Sequence, residues 1–102
     1  MVVGGVYSFK FYQANVLKTY YSVPQEKDIY IFKFGEKYSL YYLDFFTVDS
    51  MYFFSNKYDF SNALPLKNQI NDSDFIFQYY HIYEKEEIER FYKNKTLVKI
   101  YR

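Results

Sequence analysis

The side chains that could perform catalysis or bind a metal are few in this 102-residue chain, and their spacing matches no catalytic motif. His81 is the only histidine, and the chain has no cysteine. A histidine that acts as general base needs a serine or cysteine nucleophile and an orienting carboxylate, and none stands at a diagnostic spacing from His81. We therefore interpret His81 as an ordinary strand histidine and expect no enzymatic activity and no cofactor.

Two acidic clusters raise the question of a metal site. Asp72 and Asp74 stand in an Asp-x-Asp pattern, but an EF-hand loop also needs a turn glycine and a distal glutamate, and both are missing. A turn that leads into a strand explains these aspartates better. Four glutamates lie within residues 84–89, and the interleaved Lys85 and the following Arg90 favour a solvent-facing helix surface. The sequence predicts no metal site.

Tyrosine is the remaining residue type with binding chemistry, and it is unusually frequent. The chain has 15 Tyr, 12 Phe and no Trp, so 26% of its residues are aromatic. Tyr-Tyr doublets begin at residues 20, 41 and 79. On a strand, one member of a doublet can pack in the core while its neighbour faces the other side. Two interpretations are open. In the first, the doublets pack in the core and AT-rich codons account for the excess of tyrosine. In the second, they form an aromatic binding surface.

Tyr42 and Tyr80 are the candidate residues for binding a peptide or another partner. Tyr42 shares its strand face with Asp44, and Tyr80 shares a predicted strand face with Gln78 and Asp74. A face that carries polar residues is the one expected to contact water. Tyrosine tolerates half-exposure because its hydroxyl keeps a polar end.

Length and charge restrict the class of protein. A chain of this length predicts one compact domain, residues 1–102. Thirteen basic and 12 acidic residues give a net charge of +1, so no long-range field attracts nucleic acid or an anionic membrane. No apolar run approaches the ~20 residues that cross a bilayer, and the N-terminus lacks the pattern of a secretory signal. We expect a soluble protein that is not secreted by a standard route and has no membrane partner.

The clearest secondary structure lies in residues 27–46, KDIYIFKFGEKYSLYYLDFF. β-Branched and aromatic side chains dominate residues 29–34 and 38–46, and these residue types favour strands. Gly35 can adopt the positive φ of a tight turn, so the stretch predicts a β-hairpin. Neither strand alternates cleanly between apolar and polar residues. Both sheet faces should therefore be covered at least in part, by the rest of the chain or by a partner.

The remaining elements predict an α+β domain with a mainly antiparallel sheet. Strands are predicted at residues 6–12, 51–54, 74–83 and 96–101, and a helix near 84–93, where acidic residues in the first turn favour the helix dipole. Residues 13–23 fit a short helix or a strand, with the helix preferred.

Ile31 and Phe77 lie in the middle of two predicted strands. We expect both to be core residues, so that replacement of either by asparagine strongly destabilises the fold.

Short matches recur in the same order in the two halves of the chain. VYSF at 6–9 matches MYFF at 51–54, NVL at 15–17 matches NAL at 62–64, and KDIYIF at 27–32 matches SDFIFQ at 73–78. An internal duplication predicts two half-units, 1–47 and 48–102, related by a pseudo-twofold axis, with an aromatic-lined groove between them. Chance recurrence in an aromatic-rich chain is the alternative.

The composition also carries a resemblance. A tyrosine-rich, cysteine-free chain with lysine in excess over arginine, and with runs such as IYIFKF and FIFQYYHIY, resembles the small proteins of filamentous viruses that infect hyperthermophilic archaea. The resemblance implies a viral protein in the host cytoplasm and brings no catalytic residues with it.

We expect a protein-interaction module that binds a peptide or protein segment in the aromatic-lined groove, as a monomer or weak dimer. Exposed tyrosine offers a large contact area at low rotamer entropy, and a free strand edge adds main-chain hydrogen bonds. The alternative is single-stranded nucleic-acid binding by tyrosine stacking, with lysines along the phosphates. That alternative requires a shared face for Lys10, Lys18, Lys33, Lys37 and Lys57.

Overall fold

A five-stranded antiparallel sheet forms the centre of the protein, and the computed structural model describes residues 16–61 and 63–102. The strands are β1 (Ile29–Phe34), β2 (Lys37–Phe46), β3 (Ser50–Ser55), β4 (His81–Glu84) and β5 (Leu97–Tyr101), in the order β4-β3-β2-β1-β5. Two helices accompany them: residues 16–22 (α1) and Lys85–Lys93 (α2). The predicted α+β class and the antiparallel sheet are confirmed.

The β1–β2 hairpin forms as predicted. Ile31 pairs with Leu40, and Phe34 pairs with Lys37 across a two-residue turn. Gly35, the first residue of that turn, has φ +64°, which matches the φ that a type II′ turn needs at this position. The turn chemistry therefore fixes the register of the two central strands.

One face of the sheet, the first face, packs against both helices. Its buried core consists of Tyr30, Phe32, Leu43, Met51, Phe53, Leu97 and Ile100 with Ile88 of α2, and Leu17, Tyr20, Tyr21, Phe91 and Tyr92 pack around it from α1 and α2. Helix α2 begins where predicted, because the Glu84 amide donates to the Glu87 carboxylate (3.1 Å) and acidic residues occupy the first turn.

The opposite, second face is covered by residues 56–61 and 63–80, which we call the cover segment. It contains two short 3-10 helices, Lys67–Gln69 and Asp72–Asp74, in otherwise irregular structure. Its Phe60, Leu64, Ile70 and Phe75 pack on Ile29, Ile31, Leu40 and Phe54 of the sheet. The Tyr101 hydroxyl donates to the Pro65 carbonyl (2.6 Å), which ties the cover segment to β5. Both faces of the hairpin are thus covered in part, and of the two sources that the sequence left open, the rest of the chain supplies this cover.

The predicted strand at 74–83 is wrong over most of its length. Asp74 ends a 3-10 helix, and the strand begins only at His81. Phe75 instead packs onto the second face, where Asn56 and Phe75 form an isolated bridge and the Ile76 amide donates to the Ser55 carbonyl (2.8 Å). An apolar run has the same composition whether it enters a sheet or lies across one, so sequence does not separate the two cases.

Three further predictions meet different outcomes. Residues 16–22 are helical, which agrees with the preferred helix at 13–23. The predicted strand at 6–12 lies outside the described residues. The duplication into half-units 1–47 and 48–102 is not shown: β5 pairs with β1, so both halves contribute to one sheet.

A buried carboxylate holds the end of β5 against α1. Arg102 Nε and Nη2 donate to Asp28 Oδ1 (3.0 Å) and Oδ2 (2.9 Å), and Asp28 is fully buried. The same Nη2 donates to the carbonyls of Val23 (2.8 Å) and Tyr20 (3.2 Å), beyond the end of α1 and within it. The hydrogen bonds from Arg102 to Asp28 raise the pKa of the guanidinium further above its usual value. This Asp28–Arg102 pair connects β1, β5 and α1 at one point.

Of the two residues expected in the core, Ile31 and Phe77, only Ile31 is buried. Ile31 is 0% exposed and Phe77 is 53% exposed, so the prediction that Phe77 is a core residue is wrong. Ile31→Asn should lower the free energy of unfolding by about 3–5 kcal/mol, because it buries an amide in place of an apolar side chain. Phe77→Asn should cost only about 1 kcal/mol. Urea denaturation of both variants measures the difference, and equal losses would contradict this placement of the core.

Arg102→Lys tests the Asp28–Arg102 pair. Lysine keeps the positive charge but cannot form the two-pronged contact or reach the backbone carbonyls at the same time. We expect a loss of about 1–3 kcal/mol in the free energy of unfolding. The exposed Arg90→Lys is the matched control and should change stability by less than about 0.5 kcal/mol. Similar small effects for both substitutions would show that the guanidinium fork contributes little.

Candidate binding surface

The cover segment leaves one end of the second face exposed, where β2 and β3 lie beside β4. Phe45 of β2 and Tyr52 of β3 are cross-strand neighbours, with rings stacked at 4.2 Å and 10°. The Tyr80 ring meets both edge-on, at 5.5 and 5.6 Å. We call Phe45, Tyr52, Phe77 and Tyr80 the aromatic surface. The rings of Phe45, Tyr52 and Tyr80 are held in fixed orientations by their contacts with one another.

Tyr42 and Tyr80, the two residues singled out from the sequence, belong to one cluster on this face. Phe54 lies between them: its ring stacks with Tyr80 at 4.8 Å and with Tyr42 at 6.4 Å. Phe77 contacts both Phe54 (4.9 Å) and Tyr42 (5.9 Å) edge-on. Tyr80 is 42% exposed, whereas Tyr42 is half-buried. Tyr80 thus lies on the open side of the cluster and Tyr42 at its inner border.

A β-bulge brings Phe45 to the second face. Leu43 pairs with Phe53 and Phe45 pairs with Tyr52, so Asp44 is an extra residue in β2. Without a bulge, Leu43 and Phe45 would face the same side of the sheet. The Tyr80 hydroxyl donates to the Asp44 carboxylate (2.7 Å), so the bulged residue also anchors the ring beside it.

The reason given for choosing Tyr80 does not hold. Tyr80 precedes β4 and is not part of a strand, so it has no strand face in common with Gln78 and Asp74. It is exposed because the chain turns at residues 77–79 before it enters β4. Sequence reasoning missed three residues of this region, Phe45, Tyr52 and Ile82. The bulge that turns Phe45 to the second face has no sequence signal. For Tyr52 and Ile82, residue type alone does not separate a core position from one at the edge of the core.

The outer side of β4 offers hydrogen-bonding groups next to the aromatic surface. Within the described residues β4 is an edge strand. The Lys85 amide donates to the Asp49 carbonyl (2.9 Å), in the register that pairs Tyr52 with Ile82. In an antiparallel ladder hydrogen-bonded pairs alternate, so the N–H and C=O of Ile82 point away from β3. The Ile82 side chain is 56% exposed and lies on the second face beside Tyr52.

Carboxylates lie near the two tyrosines, Tyr42 and Tyr80, of this region. Burial raises the pKa of Tyr42, and the negative charges of Asp72, Asp44 and Glu26 raise it further. The hydrogen bond to Asp44 raises the pKa of Tyr80, because the neutral hydroxyl is the donor. The aromatic surface is therefore bordered by negative charge.

The lysines do not gather on one face. Lys33 pairs with Tyr38, and Lys37 pairs with Phe34, at the far end of the β1–β2 hairpin. Strand alternation places Lys33 on the second face and Lys37 on the first, and Lys10 lies outside the described residues. The shared lysine face that the nucleic-acid alternative requires does not form among these residues.

Other candidate chemistry is limited in the part of the chain that the structure describes. His81 lies on β4 against the rings of Tyr41 (5.5 Å) and Tyr79 (6.0 Å). Among residues 16–61 and 63–102, no group of three or more histidine, aspartate or glutamate side chains is placed to hold a metal ion. No helix in those same ranges is long and apolar enough to cross a membrane.

Comparison with known proteins adds no information about the function of this surface. A scan of protein-family models, a search of curated proteins and a search of solved structures each find no match to the chain.

Titration of Tyr80 tests the Asp44 contact. The Tyr80 hydroxyl should ionise with a midpoint above the ordinary value of 10.0, and Asp44→Ala should return that midpoint towards 10.0. The measurement is the pH dependence of the Tyr80 Cζ chemical shift, assigned with the Tyr80→Phe variant. An unchanged Tyr80 midpoint in Asp44→Ala would contradict the hydrogen bond.

Proposed function

We propose that this chain is a protein-interaction module that binds a peptide or protein segment on the aromatic surface. The observation that carries the proposal is the aromatic surface beside the outer side of β4, where Phe45, Phe77 and Tyr80 are exposed and Tyr52 is half-buried. Phe54 links the Phe77 ring to the Tyr80 ring. A contiguous exposed apolar patch of this kind is typical of interaction sites. The expected aromatic-lined groove between two half-units is replaced by a surface on one face of a single sheet.

Preorganisation supports this function. Each ring of the aromatic surface already contacts another ring, and the Tyr80 hydroxyl is held by Asp44. Little side-chain entropy is then lost when a partner binds, which leaves more of the interaction energy for affinity. Tyrosine adds a hydroxyl that can orient a polar backbone group of the partner.

Single-stranded nucleic acid remains the alternative occupant, because bases stack on exposed tyrosine rings. Phosphates would approach Asp44 and the carboxylates near Tyr42, and like charges repel. Charge therefore favours a polypeptide over a nucleic acid on this surface. The resemblance to proteins of archaeal filamentous viruses adds a viral origin and a place in the host cytoplasm to the proposal.

Binding variants test the proposal directly. A random peptide display library is selected on the wild-type protein, and the enriched peptide is synthesised for affinity measurements. Tyr80→Ala should weaken its binding by about tenfold or more, or ~1.4 kcal/mol, because it removes the central ring. Tyr58→Ala, which removes an exposed tyrosine elsewhere in the cover segment, should leave the affinity within about twofold.

The same variants define the contrary outcomes. Equal effects of Tyr80→Ala and Tyr58→Ala, or no enriched peptide at all, would overturn the proposal. Binding of an oligothymidylate that Tyr80→Ala abolishes, with no peptide binding, would establish the nucleic-acid alternative instead. Thermal melts of each variant identify any loss of affinity that follows from unfolding.

A further inference from the structure

We infer that the aromatic surface receives an extended, positively charged peptide that pairs with β4 as a sixth strand. This inference rests on the proposed function and specifies the conformation and charge of the partner. Three features carry it: the outward-pointing backbone of Ile82, the face on which the Ile82 side chain lies, and the sign of the surrounding charges.

The backbone of Ile82 is placed to pair with an added strand. Its N–H and C=O point to the outer side of β4, where they can form one hydrogen-bonded pair with an added strand. The next outward amide, that of Glu84, already donates to Glu87. The edge therefore recognises a short segment centred on Ile82.

Strand geometry then places the side chains of the added segment. The residue opposite Ile82 lies on the second face, and so do the residues two positions before and after it. That face carries Tyr52 and Tyr80 next to Ile82. A peptide paired with β4 thus brings alternate side chains onto the border of the aromatic surface.

The charge of the partner follows from the carboxylates on the same face. Asp44 is bonded to Tyr80, Glu84 lies on the second face opposite Ser50, and Asp72 and Glu26 act on the Tyr42 hydroxyl. Lysine or arginine side chains of a bound strand would meet these carboxylates and the tyrosine rings, with ion-pair and cation–π attraction.

Lys85, the first residue of α2 and the residue directly after β4, does not neutralise this negative charge. Lys85 Nζ lies 5.5 Å from the centre of the Phe46 ring. Phe46 pairs with the buried Met51 and so faces the first side of the sheet. A second copy of the chain fits less well than a basic peptide, because β4-to-β4 pairing would bring the carboxylates of both copies onto one face.

Two synthetic probes test the inference. The first is a capped, fluorescein-labelled peptide of alternating arginine and valine, six residues long, and the second has glutamate in place of arginine. The arginine peptide should bind about tenfold or more tightly than the glutamate peptide, and its affinity should fall as salt concentration rises. Equal affinity for both peptides would overturn the charge assignment.

Ile82→Pro tests the pairing with β4. Proline removes the outward N–H without removing a hydrogen bond to β3, so an edge position tolerates it. Binding of the arginine peptide should fall by about tenfold or more, whereas Ile82→Val, which keeps the amide, should stay within about twofold. If Ile82→Pro unfolds, as a thermal melt would show, N-methylation of alternate peptide amides replaces it and should weaken binding equally. Unchanged binding in the folded proline variant, or with the N-methylated peptide, would overturn the sixth-strand geometry.

The proposed function and this inference fail in different ways. If Tyr80→Ala weakens a library-selected peptide while Ile82→Pro and peptide charge have no effect, the proposed function stands and the inference is wrong. Sedimentation that shows a dimer dissociated by Ile82→Pro would assign the edge to a second copy and overturn the inference.

Discussion

The strand β1 is buried on both of its faces, and the arrangement of the other elements follows from this constraint. Tyr30 and Phe32 face the helices, while Ile29 and Ile31 face the cover segment. Such a strand needs two separate apolar layers, since exposed apolar surface on either side would cost about 25 cal/mol per Å². The chain supplies one layer from regular helices and the other from irregular structure. The Asp28–Arg102 pair then joins β1 to β5 and α1, where a carboxylate without its partner would be costly to bury.

The two layers differ in completeness, and the candidate surface arises from that difference. Helices satisfy their own backbone groups, so α1 and α2 can lie across the first face. The cover segment has to satisfy its backbone group by group, through bonds such as Lys57 N–H to Asp74 and Ile76 N–H to Ser55. Near the end of β2, the cover segment contributes only the side chains of Phe77 and Tyr80. These leave part of the second face uncovered. An incomplete apolar layer leaves aromatic rings in contact with water, and the partner that we propose would cover them.

The predictability of each element depended on how local its signals are. The hairpin could be predicted because Gly35 and two β-branched, aromatic runs determine it within 20 residues, and α2 because its acidic first turn lies beside its apolar stripe. The structure of residues 74–83 could not be predicted from the sequence. Whether an apolar run joins a sheet or covers it depends on strands that are distant in the chain. Tyr80 was identified as exposed for a reason that the structure does not support. The duplication rested on short matches in an aromatic-rich chain, and the single sheet to which both halves contribute does not show it.

The bulge in β2 has a consequence for the length of that strand. Leu43 pairs with Phe53 and Phe45 with Tyr52, so a chain lacking Asp44 would continue the ladder without interruption, and every other side chain would keep its present face. Asp44 is therefore an insertion that the sheet itself does not require. Loss of its single codon would preserve the register and remove only the carboxylate that holds Tyr80. In genetic terms, the position of Tyr80 depends on an insertion that the rest of β2 could lose.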